Sequence, residues 1–159
     1  MELRYVHLSP EQSPPELTCG PFRALVVSDV TVTKEWRHRI AKWLVASGCL
    51  YVIAWGLECE DWHDSVDWAV LEEFDFGDIP DHKFVMTTWH AIEPLSEAMW
   101  FAGQCAFHPD VELGATVVLD VAPAAREAEI MDAFLASQEC QPARKTDPLS
   151  APNIDPTFR

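Results

Sequence analysis

Residues 22 to 55, "FRALVVSDVTVTKEWRHRIAKWLVASGCLYVIAW", carry the pattern from which the fold follows. The segment opens with a short apolar run, Phe22–Ser28, and closes with another, Leu50–Trp55, both rich in β-branched and aromatic residues. Runs of that length without alternation suit strands buried on both faces, as in parallel sheets. Between them, Trp36, Ile40, Trp43, Leu44 and Ser47 recur at helical spacing, with Lys34, His38, Arg39 and Lys42 on the opposite face. Thr33 is placed to cap this helix, Glu35 suits its first turn, and Gly48 follows its end. Strand, helix and strand in this order form one right-handed crossover unit.

On either side the pattern repeats. Phe84–Trp89 ("FVMTTW") and Thr116–Val121 ("TVVLDV") read as two more buried strands, and "LRYVHL" near the start as an added edge strand. Three further helices are expected, at about Trp62 to Phe74, Pro94 to Phe107, and Ala125 to Ser137. The second buries Trp62, Val66, Ala69, Val70 and Phe74, and the fourth turns Ile130 and Phe134 inward. The third is apolar around most of its circumference ("LSEAMWFAGQCAF") and is expected to be the most buried. The fold class is therefore α/β: one Rossmann- or flavodoxin-like domain over residues 1–137, a mostly parallel sheet of four to five strands flanked by about four helices. The proline-rich segment 138–159 lacks periodicity and reads as an extended tail.

The totals narrow the function classes. With 159 residues and 48% apolar residues the chain suits one globular domain, burying roughly two-thirds of its unfolded surface. The net charge of −15, eleven basic residues against twenty-six acidic, opposes binding to nucleic acid or to an anionic membrane. No apolar run approaches the roughly 20 residues of a membrane span, and the N-terminus lacks the layout of a secretory signal. Five scattered cysteines without a CxxC pair suit reduced thiols, so the expected setting is the cytoplasm.

Catalytic motifs are sparse. Neither GxGxxG nor GxxxxGK[ST] occurs, no GxSxG elbow is present, and no cofactor is expected. "SDVTVT" (28–33) resembles the strand-end aspartate of haloacid-dehalogenase-type phosphatases, but Thr31 stands where their second aspartate belongs. Ligands of open α/β sheets bind at the carboxyl ends of the strands. There Asp29, Glu58, Trp89, His90 and Glu93 form a candidate ligand site, with His90 and Glu93 as the best-placed acid–base pair; the favoured reading of these two is a structural hydrogen bond from His90 and a helix cap from Glu93. "ECEDWHD" (58–64) is dense in metal-type donors but lacks HExxH, CxxC or calcium-loop spacing, so no metal is expected. Glu60 and Asp61 instead suit the start of a helix.

The charge layout points to a binding face. Ten acids and no lysine or arginine lie between Glu58 and Asp81. On the second helix Asp64, Trp68 and Glu72 are four residues apart opposite its buried stripe, with Leu71 to one side. A tryptophan framed by carboxylates has the make-up of an interaction hot spot for a basic partner. The competing reading packs Trp68 beneath the tail or a neighbouring loop. If the four central strands took the order 2-1-3-4, the basic first helix and acidic second helix would lie on opposite faces of the sheet.

The segment "FVMTTWHAIEPLSEAMWFAGQCAFHPDVEL" (84–113) resembles a family of small uncharacterised bacterial domains with strand–TTWH–turn–helix units in a Rossmann-like sheet. The resemblance spans about Pro21 to Val121 and implies a bacterial, single-domain α/β protein, with Trp89 and His90 as positions of interest. The leading expectation is a non-enzymatic module, of inhibitor or immunity type by analogy of size and charge, that binds a basic protein through Asp64, Trp68, Leu71 and Glu72. The alternative is a small-molecule or nucleotide-derived ligand site at the strand ends, with or without catalysis. A third reading is a homodimer formed through an apolar helix face.

Overall fold

A computed structural model describes residues 2–140. Its elements are β1 (Glu2–Leu8), β2 (Phe22–Ser28), α1 (Lys34–Ala46), β3 (Cys49–Gly56), α2 (Cys59–Glu73), a 3-10 turn (Asp81–Lys83), β4 (Met86–His90), α3 (Leu95–Gln104), β5 (Ala115–Val121) and α4 (Glu127–Glu139). All strand pairs are parallel and the sheet order is β1-β5-β2-β3-β4. The α/β class, the five strands and the four helices match the expectation. Of the expected tail, Gln138 and Glu139 belong to α4, and the rest from Gln141 lies outside the described residues.

The order dictates which face each helix covers. From β2 the chain steps outward to β3 and then β4, so right-handed crossovers put α1 and α2 on one face. It then returns past β2 to β5, which places α3 and afterwards α4 on the other. Every residue of β2 and β5 is buried, as expected of strands covered on both sides. Val26, Val52, Ala54 and Leu119 pack with Trp36, Ile40, Leu44, Trp62 and Val66 in one core layer. Leu25, Val27, Ile53 and Val118 pack with Met99, Ala102, Ile130 and Phe134 in the other.

Local signals set the helix ends. The Thr33 hydroxyl accepts from the Trp36 amide at 3.2 Å, and Gly48 follows α1 with φ +93°, in the left-handed region a glycine tolerates. Two tryptophans of α1 hold the loop that links β1 to β2. Trp36 Nε1 donates to the Gln12 carbonyl and Trp43 Nε1 to that of Pro15, each at 2.8 Å.

Three expectations are corrected. The four buried runs take the order β5-β2-β3-β4, so the arrangement that would have put α1 and α2 on opposite faces (β3-β2-β4-β5) does not occur; the two helices are neighbours on one face and the molecule is not electrostatically two-sided in that way. The third helix is not the most buried: α3 buries only Ala98, Met99 and Ala102, against six residues of α2. Its other apolar residues, Leu95 and Phe101, are only partly buried against that core layer, Phe101 meeting Tyr51 of β3 edge-on. Finally, α2 begins at Cys59, three residues before Trp62, because Glu58 takes a left-handed conformation (φ +54°) that turns the chain into the helix early.

Candidate functional site

The acidic face of α2 divides into two sides. Toward α1, Trp68 and Ser65 line a groove of about 280 Å³ with Lys34, His38 and Glu72. Glu72 is engaged across this seam: its carboxylate is 3.0 Å from His38 Nε2 and 3.7 Å from Lys42 Nζ. The basic face of α1 therefore neutralises one carboxylate of α2. Trp68 keeps 55% of its surface exposed and meets Phe76 edge-on, with ring centroids 6.1 Å apart. Phe76, at φ +58° just after the helix, is itself 63% exposed. A Trp–Phe pair contributes about 1 kcal/mol beyond area burial, far too little to explain leaving both rings in water.

Toward β4, Leu71 is 38% exposed and lines a second groove, of about 360 Å³, with Asp67, Ile79, Phe84 and Thr87. Thr87 Oγ1 donates to Asp67 Oδ1 at 2.9 Å, tying strand to helix. Asp64 is exposed and accepts from His63 Nδ1 at 3.0 Å. Asp64, Trp68, Leu71 and Glu72 thus share one surface, with Trp68 and Glu72 on its α1 side and Leu71 on its β4 side.

The five residues expected at the strand ends fall into separate groups. Glu58 pairs with the buried Arg37, Nη1 to carboxylate 3.4 Å, while Arg37 Nε donates to Ser65 Oγ at 3.2 Å. Trp89, 45% exposed, packs edge-on against His63 with centroids 4.6 Å apart. His90 lies 4.0 Å from the Glu93 carboxylate and tilts over Phe101. Burial pulls the His90 pKa below its ordinary value, against the opposing pull of Glu93 and Glu97. Asp29 pairs with Arg126 at 3.5 Å. No hydrogen bond, ion pair or ring contact joins these groups to one another among the described residues.

Sequence reasoning passed over the residue that organises the carboxyl edge. Between β2 and β5 the connecting segments leave to opposite faces, which is the position where open sheets form a crevice. Arg126, the residue before α4, fills it. Its guanidinium donates to both oxygens of the fully buried Asp120, Nη2 to Oδ1 at 2.9 Å and Nε to Oδ2 at 3.1 Å. Tyr5 donates its hydroxyl to Asp120 Oδ2 at 2.7 Å and accepts from the Arg126 amide at 2.9 Å. Burial, with the Asp120 charge beside it, pushes the Tyr5 phenol up to about 12. One signal was available: Arg126 is the single lysine or arginine between Lys83 and Arg144.

Nucleophilic chemistry finds little support here. The Cys59 thiol is buried at the start of α2, and burial raises its pKa, the reverse of what a reactive thiolate needs. Among the described residues, no group of three or more His, Cys, Asp or Glu is arranged to hold a metal ion. No described helix is long and apolar enough to cross a membrane.

No curated protein and no solved structure matches the chain. A family model described as "Domain of unknown function (DUF7684)" matches residues 3–137, which takes in all five strands but for Glu2 and nearly all of α4. The chain belongs to this family of domains of unknown function.

Proposed function

We propose that this chain is a non-enzymatic interaction module that binds a basic surface of another protein through the exposed face of α2, in the manner of an inhibitor that masks its target. The observation that carries the reading is the exposure of Trp68, Leu71 and Phe76 together, within a segment of ten acids that has no lysine or arginine. Apolar side chains grouped on a surface mark interaction sites more often than chance exposure does. Tryptophan is a preferred anchor at such sites, and surrounding carboxylates steer a cationic partner and raise its rate of encounter. A cytoplasmic setting accords with five free cysteines, two of them buried. The strand-end ligand reading has weaker support, because Asp29 and Glu58 already hold arginine partners.

The test compares the full chain with Trp68→Ala and Asp64→Lys as baits in extract of the native host, followed by mass spectrometry. A partner retained by the parent chain should be basic, and should bind Trp68→Ala at least about tenfold more weakly. Trp68→Ala should unfold within about 1 kcal/mol of the parent, since its ring is more than half exposed. Equal retention of the same proteins by all three baits would defeat the proposal.

A further inference from the structure

We infer that the free edge of β4 receives an extended, basic segment of the partner protein as an added parallel or antiparallel strand, in line with the α2 groove. This deepens the proposed function and rests on it: the same acidic surface gains a backbone docking rail.

Among the described residues, strand β4 is last in the sheet and pairs only with β3. Among the described residues, no backbone or side-chain hydrogen bond outside that pairing uses the main chain of Met86–Trp89. Unpaired edges are a hazard that proteins ordinarily blunt with lysine, proline, a bulge or a covering segment. The sequence "MTTWH" contains no lysine, proline or glycine, and its threonines and tryptophan favour extended pairing. The other edge differs: β1 carries Glu2 and Arg4 in an ion pair. Both edges lack a backbone partner among the described residues, but the β4 edge alone is without lysine or arginine and lies beside an apolar groove, the form of a strand-addition site.

Side-chain direction indicates what the added strand would carry. Thr87 and Trp89 point toward α2, where they meet Asp67 and His63, while Met86 and His90 point toward α3. A neighbour on the α2 side lies beside Asp67, Leu71 and Phe84, so it meets a carboxylate next to apolar surface. On the α3 side, the Glu93 and Glu97 charges both reach His90. Those two acids face His90, and beside it Met86 and Phe101 offer apolar surface, so the carboxylate open to a partner lies on the α2 side. A segment alternating lysine or arginine with aliphatic residues fits this layout with its cations on the α2 side, stems along Leu71 and Phe84 and heads at Asp67, and its aliphatic residues on the α3 side beside Met86 and Phe101; five residues of pairing extend it by roughly 17 Å. A second copy of this chain does not fit, because with a net charge of −15 it brings a second acidic surface to an acidic one.

The experiment uses the full chain with an alternating Lys–Val peptide, and with the same peptide N-methylated at every amide, which keeps the charges but cannot pair as a strand. Binding is read by titration and by amide hydrogen exchange. The unmodified peptide should bind, slow exchange at Met86–Trp89, weaken with added salt, and bind Asp67→Lys at least about tenfold less tightly. N-methylation should weaken it by at least about the same factor. Equal affinity of the two peptides, or protection elsewhere than β4, overturns strand addition while leaving the acidic surface proposal to the Trp68 comparison. Failure of the unmodified peptide to bind at millimolar concentration also overturns it.

Discussion

The carboxyl edge of the sheet and the outer face of α2 both concentrate polar and aromatic side chains, but they use them differently. At the edge, Asp120 is fully buried under a bidentate Arg126 and a Tyr5 hydroxyl, Asp29 shares that arginine, and Glu58 holds Arg37. Carboxylates there are matched by cations, so their charge is consumed in holding strands and helices together. On α2, among the described residues, only Glu72 meets lysine, and Trp68, Leu71 and, just past the helix, Phe76 remain in contact with water. The polar crevice typical of the fold is thus internally closed in this chain, while the unusual exposure lies on a helix.

Substitutions put this contrast at risk. Arg126→Ala should be the most damaging change, since it strands the buried Asp120 charge; a loss of about 3 kcal/mol or more is expected in urea unfolding. A loss below about 1 kcal/mol would mean that the edge is not held by this pair. Gly56→Ala should follow, at about 2 to 4 kcal/mol. Gly56 sits at φ +97°, and a Cβ there would stand 2.3 Å from the Ser28 carbonyl oxygen. Substitution tolerated without loss would show that β2 and β3 separate easily at this end.

The smallest effect concerns His90, which lies between the two regions at the end of β4. Its pKa is lowered in the folded chain, so the unfolded chain binds the extra proton first on acidification. Its contribution to stability should therefore be intact above the ordinary value of 6.5 and decline as pH falls below it. Unfolding midpoints across that range, parent minus His90→Gln, should show this slope; a difference independent of pH would refute the assignment.

Much of the architecture was legible. Short β-branched runs and 3.6-residue stripes revealed every strand and helix, and Thr33 and Gly48 marked both ends of α1. These signals are local, arising from neighbours within a few residues of each other. The α2 surface was half legible, since helical phase placed Asp64, Trp68 and Glu72 on one face without showing what faced them. Lys34, His38 and Lys42 proved to be the facing groups on the α1 side because α1 and α2 share a face of the sheet. Arg126 was hidden for the same reason: Asp120 is only six residues away, but Tyr5 and Asp29, which complete the cluster, lie far off in the chain.

Element types, buried stripes and net acidity were already set by residue spacing and composition, which act through short-range backbone preferences. Strand order was not, and it emerged with the assembled sheet. With it came the placement of α1 beside α2, the closing of the crevice by Arg126, and the position of β4 at the sheet's end. Those outcomes depend on which distant segments pair, a choice made by the packing of the whole core and written in no single stretch of it.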